Sequence, residues 1–147
     1  MTAAEIIKLT ALEAGAKIKS GELTSEEITR VFLDKIASDD SKINSYITVC
    51  DDAIEQARQA DIDIKNGKLT GPLAGVPVAI KDNMCTEGIL TTCSSKILSN
   101  FVPTYTATAV KCLQDAGAVI VGKTNMDEFA MGSTTETSYY GITKNPW

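Results

Sequence analysis

The amino-acid sequence predicts an α/β fold in which helices pack around a mixed, mostly parallel β-sheet. The first observation is a strand–helix–strand pattern, because the apolar segments 75–80 and 118–121 flank a helical segment at residues 107–116. The second is the uneven charge: residues 1–70 carry 22 of the 33 charged side chains (13 acidic and 9 basic). A highly charged first half is typical of surface helices, whereas a sparsely charged second half indicates a buried sheet joined by polar loops.

The first half is predicted to contain three helices and one strand. Apolar residues recur at three- and four-residue spacing in the helical segments, and β-forming residues are concentrated in the strand segment. The predicted elements are a helix over residues 5–19, a helix opened by a capping box of Thr24 and Glu27, a strand over residues 43–50, and a helix opened by Asp52 and Glu55 and closed at Asn66 and Gly67.

The second half is predicted to hold two buried strands and the helix between them. Residues 75–80 form the first strand, and residues 107–116 form a helix that ends at Gly117. Residues 118–121 form the second strand. A helix that connects two neighbouring strands places them parallel in one sheet.

The composition excludes several classes of site. The chain has no histidine, which rules out Ser-His-Asp and Cys-His catalysis and histidine-ligated metals within these residues. Its four cysteines include no Cys-x-x-Cys pair, so we expect reduced thiols and no metal site. A net charge of −5 with scattered basic residues argues against direct contact with nucleic acid.

No segment of the sequence is predicted to enter a membrane. The longest nearly apolar run, residues 73–80, is far too short to span a bilayer. The first residues contain an early glutamate, Glu5, and no apolar core with a cleavage site, so they do not resemble a signal peptide. We therefore expect a cytoplasmic protein.

Residues 117–124, Gly-Ala-Val-Ile-Val-Gly-Lys-Thr, match the spacing of a phosphate-binding loop. That loop must curl so that its backbone N–H groups surround a phosphate. Here the residues between the two glycines are strong β-formers, and an extended strand directs its amides to neighbouring strands. We expect no ATP site at this motif.

Lys81 is the residue most strongly indicated for chemistry. It ends the run Val-Pro-Val-Ala-Ile at residues 76–80 and is followed by Asp82 and Asn83. The carboxyl ends of parallel strands are where open α/β sheets place their active sites. A lysine held partly away from water there could act as a base, but the pattern alone also allows a lysine that reaches solvent or pairs with Asp82.

The sequence resembles the amidase signature family. The resemblance is carried by the following segments: Gly-Val-Pro-Val-Ala-Ile-Lys-Asp-Asn at 75–83, Thr-Thr-Cys-Ser-Ser-Lys-Ile-Leu at 91–98, residues 116–133, Asn-Pro-Trp at 145–147, and Ser-Gly-Glu-Leu-Thr-Ser at 20–25. The resemblance implies the amidase signature fold and places residues 1–147 in the N-terminal part of its domain. Residues 1–70 would form a helical region with one strand, and residues 71–147 the start of the central sheet with the lysine motif.

The resemblance also implies a mechanism without histidine. Family members hydrolyse amides with a Ser-cis-Ser-Lys triad, in which Lys81 would be the general base or charge relay. Both triad serines would lie beyond Trp147, so a polypeptide of residues 1–147 alone is expected to be inactive. Met131, Gly132 and Ser133 align with a segment that binds substrate in related enzymes. Ser94 and Ser95 are expected to cap a turn rather than to act as nucleophiles.

Two segments are similar to one branch of the family, the glutaminase subunits of tRNA-dependent amidotransferases. These are Ser-Lys-Ile-Leu at 95–98 and Asp-Glu-Phe-Ala-Met-Gly-Ser at 127–133. The branch implies glutamine as substrate and a complex with two partners, the amidotransferase subunits B and C. It also implies that ATP, Mg²⁺ and tRNA are handled by the first of these partners, with no cofactor in this chain. The alternatives are a stand-alone amidase for another small amide and a non-catalytic α/β module.

Overall fold

The structure, a computed structural model, describes all residues from Met1 to Trp147. It has a mixed α/β architecture, which confirms the predicted fold class. The helices are α1 (Ala3–Ile6), α2 (Ala11–Ser20), α3 (Ser25–Ile43), α4 (Ala53–Lys65) and α5 (Thr108–Asp115); the strands are β1 (Tyr46–Val49), β2 (Pro77–Lys81) and β3 (Val119–Thr124); and two 3₁₀ turns span Lys96–Leu98 and Glu128–Ala130.

The single helix predicted over residues 5–19 is wrong, because the chain forms two helices there, α1 and α2. The break is caused by a second capping box at Thr10. The Thr10 hydroxyl accepts a hydrogen bond from the Glu13 N–H, and the Glu13 carboxylate accepts one from the Thr10 N–H. The predicted end is confirmed, since Gly21 closes α2 with a left-handed φ of 76°.

The strand predicted over residues 43–50 is shorter, because α3 continues to Ile43 and the left-handed Asn44 (φ of 63°) separates it from β1. The other predicted helix boundaries are confirmed to within about two residues. Thr24 and Glu27 form the predicted capping box at the start of α3. Helix α4 ends at Lys65 with Asn66 as its C-cap, and Gly67 follows with a φ of 71°. Asp52 precedes α4 without capping it through its side chain.

The three strands form one mixed sheet in the order β1-β3-β2. Strand β1 runs antiparallel to β3, with Thr48 opposite Lys123. Strands β2 and β3 run in the same direction, because the Val119 N–H donates to the Val76 carbonyl (2.9 Å) and the Asp82 N–H donates to the Thr124 carbonyl (3.2 Å). Helix α5 links these parallel strands, as predicted. Strand β3 extends beyond the predicted residues 118–121 because its second half pairs with β1.

The chain divides into two compact units. The first consists of Met1–Ile36, Asp51–Val78 and Cys112–Val121, and the second of Ala37–Cys50, Ala79–Lys111 and Gly122–Trp147. The core of the first unit is a cluster of six buried apolar residues: Ile6, Ala14, Ile18, Leu23, Ile28 and Val76. The second unit contains Lys81 and the loops around it. None of the helices combines the length and apolar character that crossing a membrane requires.

Candidate active site

Lys81 is the last residue of β2 and begins a tight turn. The Lys81 carbonyl accepts a hydrogen bond from the Met84 N–H at 3.0 Å, which closes the turn over residues 81–84. The Lys81 side chain is exposed, so residues 1–147 do not hold this amine away from water. The strand therefore presents the amine to solvent at its carboxyl end, where a substrate can approach it.

Asp82, the next residue, is completely buried. Its Oδ2 atom accepts hydrogen bonds from the Thr92 N–H (2.9 Å), the Thr92 hydroxyl and the Ser94 N–H (3.4 Å). Its backbone carbonyl accepts a further bond from the Cys93 N–H at 3.0 Å. Asp82 thereby attaches the turn after Lys81 to residues 91–95, which we call the 91–95 loop. Asp82 therefore orients the 91–95 loop, whereas Asn83 is exposed.

Lys123 on β3 is also completely buried and lies next to Asp82. Its Nζ atom donates hydrogen bonds to the Thr91 hydroxyl (2.6 Å) and the Met84 carbonyl (2.9 Å), and it lies 3.7 Å from Asp82 Oδ1. Burial lowers the pKa of Lys123, while the Asp82 carboxylate acts in the opposite direction. The buried lysine of this region is therefore Lys123 rather than Lys81.

The motif at residues 117–124 does not form a phosphate-binding loop. Residues 119–124 are the strand β3, as their β-forming character predicts for the first part of that segment. The amides of this strand pair with neighbouring strands, and the Lys123 amine is directed to groups of the protein itself. The sequence analysis did not predict that Lys123 is buried. The available signal was its position two residues after the apolar run at residues 119–121.

Two serines of the 91–95 loop are buried, and the hydroxyl of each both donates and accepts a hydrogen bond. The Ser94 hydroxyl donates to Asn125 Oδ1 (3.2 Å) and accepts from the Met126 N–H (3.1 Å). The Ser95 hydroxyl donates to Glu128 Oε1 (2.5 Å) and accepts from the Ile97 N–H (3.3 Å). Ser95 is the N-cap of the first 3₁₀ turn, which confirms the capping role predicted for Ser95. The same prediction is wrong for Ser94, because its hydroxyl is taken up by residues 125 and 126.

Asn125 joins several loops near the end of β3. Its side-chain amide donates to the carbonyls of Asn44 (3.1 Å) and Gly141 (2.8 Å). Its Oδ1 atom accepts from the Ser138 hydroxyl at 2.7 Å, in addition to Ser94. Asn125 therefore connects four segments of the second unit through its side chain.

The proposed substrate-binding residues Met131, Gly132 and Ser133 are exposed and follow the second 3₁₀ turn. No hydrogen bond connects them to Lys81. The loop that carries them is organised by Asp127, which is buried and was not identified from the sequence. A Cβ atom at Gly132 would lie 2.5 Å from Asp127 Cγ, so this close approach requires glycine.

The Asp127 carboxylate is surrounded by donors from residues 134–137. Its Oδ2 atom accepts from the N–H groups of Thr135 (2.8 Å) and Thr134 (2.9 Å), and its Oδ1 atom accepts from the Thr137 hydroxyl (3.1 Å). These bonds, first among them the one from Thr135, hold the pKa of Asp127 below its usual value, although burial acts to raise it.

This lowered pKa makes the stability of the loop depend on pH. A carboxyl whose pKa is lower in the folded state stabilises the fold above its usual pKa of about 3.9, and this contribution is lost as the pH falls. In the full-length protein, Asp127→Asn is expected to lower the midpoint of thermal unfolding at neutral pH. It should also reduce the fall in that midpoint between about pH 6 and about pH 3. An equal pH dependence in wild type and variant would contradict this role.

No group of three or more Cys, Asp and Glu side chains in the structure could hold a metal ion. The family model named Amidase matches residues 27–147. The chain belongs to the amidase family. This confirms the family to which the motifs around Lys81 were assigned.

Known members of the amidase family resemble the chain in sequence and in structure. It is 64% identical over 142 residues to the A-subunit of glutamyl-tRNA(Gln) amidotransferase from Lachnospira eligens, covering 96% of the chain and 30% of that protein. A solved structure of fatty acid amide hydrolase superposes with a TM-score of 0.90 at 27% identity, covering 99% of the chain and 26% of the other. A crystal structure of the glutamyl-tRNA(Gln) amidotransferase A-subunit from Thermotoga maritima superposes with a TM-score of 0.68 at 37% identity, covering 100% and 27%.

These similarities confirm the amidase signature fold, and the curated relatives named here belong to the branch that the motifs resemble. The chain spans about 30% of the length of the curated relatives that it matches. Its geometry is therefore that of one part of an amidase-family protein.

Proposed function

We propose that residues 1–147 form the N-terminal part of the glutamine-hydrolysing subunit of a tRNA-dependent amidotransferase. The observation that supports this most directly is the 64% identity to a glutamyl-tRNA(Gln) amidotransferase A-subunit over 96% of the chain. Residues 1–70 are its N-terminal helical region with one strand, and residues 71–147 are the start of its central sheet. The whole protein would release ammonia from glutamine for the formation of Gln-tRNA(Gln) or Asn-tRNA(Asn).

In this proposal Lys81 is the terminal base of a Ser-cis-Ser-Lys triad whose serines are supplied by residues outside 1–147. The nucleophilic serine attacks the carboxamide carbon, the second serine takes its proton, and the Lys81 amine receives the proton in turn. The proton then returns from Lys81 through the second serine to the amide nitrogen, and ammonia leaves as the C–N bond of the tetrahedral intermediate breaks. The acyl group stays esterified to the nucleophilic serine until water hydrolyses that ester. The position of Lys81, exposed at the carboxyl end of β2, supports this assignment because its amine can reach groups that approach that end.

We assign Met131, Gly132 and Ser133 to the binding of the glutamine substrate. All three are exposed on a loop that the buried Asp127 carboxylate holds in a defined conformation. A loop held in this way can present side chains and backbone groups to a ligand at little entropic cost.

The partners in this proposal are the amidotransferase subunits B and C. The B-subunit would bind ATP, Mg²⁺ and tRNA and would carry out the amidation step, so no cofactor is assigned to residues 1–147. The complex is assigned to the cytoplasm, where tRNA is aminoacylated.

The main alternative is a stand-alone amidase that acts on another small amide. The high TM-score with fatty acid amide hydrolase is compatible with this alternative, because the fold is shared by enzymes with different substrates. The other alternative is a non-catalytic module that keeps the fold for binding.

Substrate preference separates these functions. We expect the full-length protein, purified with subunits B and C, to release ammonia from glutamine with a kcat/KM at least about 100-fold higher than from a peptide amide or a fatty acid amide. Preference for either of the latter would favour the stand-alone amidase. Hydrolysis of none of the three would favour the non-catalytic module.

A further inference from the structure

The Lys123 side chain reaches into the turn that begins at Lys81. The turn is closed by the bond from the Met84 N–H to the Lys81 carbonyl (3.0 Å), and the Met84 carbonyl in turn accepts from Lys123 Nζ (2.9 Å). Lys123 therefore holds the last residue of a turn whose first residue is the proposed base. Its amine also lies 3.7 Å from the carboxylate of Asp82, the second residue of the same turn.

Lys123 and Asp82 together also hold the 91–95 loop. The Thr91 hydroxyl accepts from Lys123 Nζ at 2.6 Å and donates to the Ile89 carbonyl at 3.0 Å. The next residue, Thr92, donates its N–H to Asp82 Oδ2 at 2.9 Å. The turn and the loop are thus tied to one buried pair of opposite charges.

The charge of Lys123 is required by its surroundings. Both side chains of the pair are 0% exposed, and Asp82 Oδ1 has no hydrogen-bond partner. The Lys123 ammonium is the charge that faces this oxygen. Removing one member of a buried ion pair leaves the other charge uncompensated, which is far more disruptive than removing both.

We infer that Lys123 is a positioning residue for the proposed base: it fixes the 81–84 turn and the 91–95 loop and so sets the direction in which β2 presents the Lys81 amine. The inference rests on the proposed function, because it assigns Lys123 to the same reaction. The buried lysine of the apparent phosphate-loop motif would then serve amide hydrolysis through Lys81.

The test uses the full-length protein with its partner subunits and compares three variants. Lys123→Met keeps an unbranched side chain, one atom shorter, and removes its charge. The double variant Lys123→Met/Asp82→Asn removes both charges. The asparagine oxygen can take the Oδ2 position and accept the bond from the Thr92 N–H, and its NH₂ can take the Oδ1 position, which accepts no hydrogen bond in the wild type. Lys68→Met is the matched control, because Lys68 is 69% exposed in a surface ion pair with Asp63.

We expect Lys123→Met to lower kcat for glutamine hydrolysis by about 100-fold, because small misplacements of a catalytic group have effects of this size. KM should change by less than about 2-fold, because Lys123 makes no hydrogen bond with the residues assigned to glutamine binding, Met131, Gly132 and Ser133. The double variant should recover at least about 10-fold of the lost kcat. Lys68→Met should behave as the wild type.

Three results would overturn the inference. One is a kcat for Lys123→Met equal to that of Lys68→Met. Another is a rise in KM that accounts for the whole loss of kcat/KM. The third is a double variant no better than Lys123→Met. If Lys123→Met does not fold, the kcat of the double variant, which lacks the Lys123 bonds to Met84 and Thr91, is compared with that of Lys68→Met. A lower kcat in the double variant supports the inference, and equal kcat values overturn it.

Backbone hydrogen exchange of a peptide covering residues 91–95 provides a readout that needs no glutamine. Exchange should be faster in Lys123→Met than in wild type and closer to wild type in the double variant. Unchanged exchange in Lys123→Met would overturn the inference even if glutamine is hydrolysed. A wild-type complex that releases no ammonia would contradict the proposed function, and the exchange comparison would still decide whether Lys123 holds the loop.

Discussion

Replacement of Lys81 by alanine in the full-length protein is expected to lower glutamine-dependent ammonia release by about 10⁴-fold or more. Members of a coupled catalytic unit depend on one another, so removing one has nearly the effect of removing all. The fold should remain intact, because the Lys81 side chain is exposed and the turn after it is closed by backbone atoms. The measurement is ammonia release by the purified complex, with the exposed Lys68→Ala variant as control.

Lys81→Arg tests whether Lys81 acts as a base or only as a cation. Arginine keeps the positive charge, and the exposed position has room for it, but a guanidinium does not release its proton and therefore cannot accept one. We expect Lys81→Arg to lose nearly as much activity as Lys81→Ala. Amidation supplied with free ammonium should survive in both variants, because the proposal places that step on the B-subunit. Near-normal glutaminase activity in Lys81→Arg would contradict the role as a base.

Gly122→Ala is expected to destabilise the fold by about 1–3 kcal/mol. Gly122 pairs with Val49 where β3 runs beside β1. A Cβ atom there would lie 2.4 Å from the Thr48 carbonyl oxygen and 2.9 Å from the Tyr46 ring. The backbone atom cannot move aside without disturbing the pairing of β1 with β3. Because β3 also carries Lys123, we expect glutaminase activity to fall together with stability.

The control for this prediction is Gly71→Ala. No atom lies within 4 Å of the position that a Cβ would take at Gly71. Both substitutions add the same methyl group, so a difference between their midpoints of thermal unfolding reports the close contact at Gly122. Equal midpoints would show that β1 and β3 can separate enough to accept a side chain.

Most helices and strands could be predicted because their signals are local. The Thr24–Glu27 capping box, the glycines after α2 and α4, and the apolar runs of β2 and β3 each lie within a few residues of the element that they define. The failure over residues 5–19 is also local in origin. The apolar spacing continues past residue 10, but the Thr10–Glu13 capping box starts a new helix there.

For the candidate site, the sequence by itself was sufficient to identify the family and to place Lys81 at the end of a strand. Those conclusions depend on the order of residue types in short segments. The prediction that the motif around Lys123 binds no phosphate agrees with the structure, because most of the motif is the strand β3. That prediction did not say where the Lys123 amine would lie.

Only the tertiary structure decided which charges are buried together. The groups that Lys123 binds, Thr91 and Met84, are 32 and 39 residues away along the chain. The physical reason is that a helix cap or a strand depends on neighbouring residues, whereas the burial of a charge depends on which distant segments pack around it and offer it partners. The sequence therefore determined the fold class, the family and the proposed base Lys81. The packed structure alone showed that Lys123 and Asp82 form a buried pair at the turn that begins at Lys81.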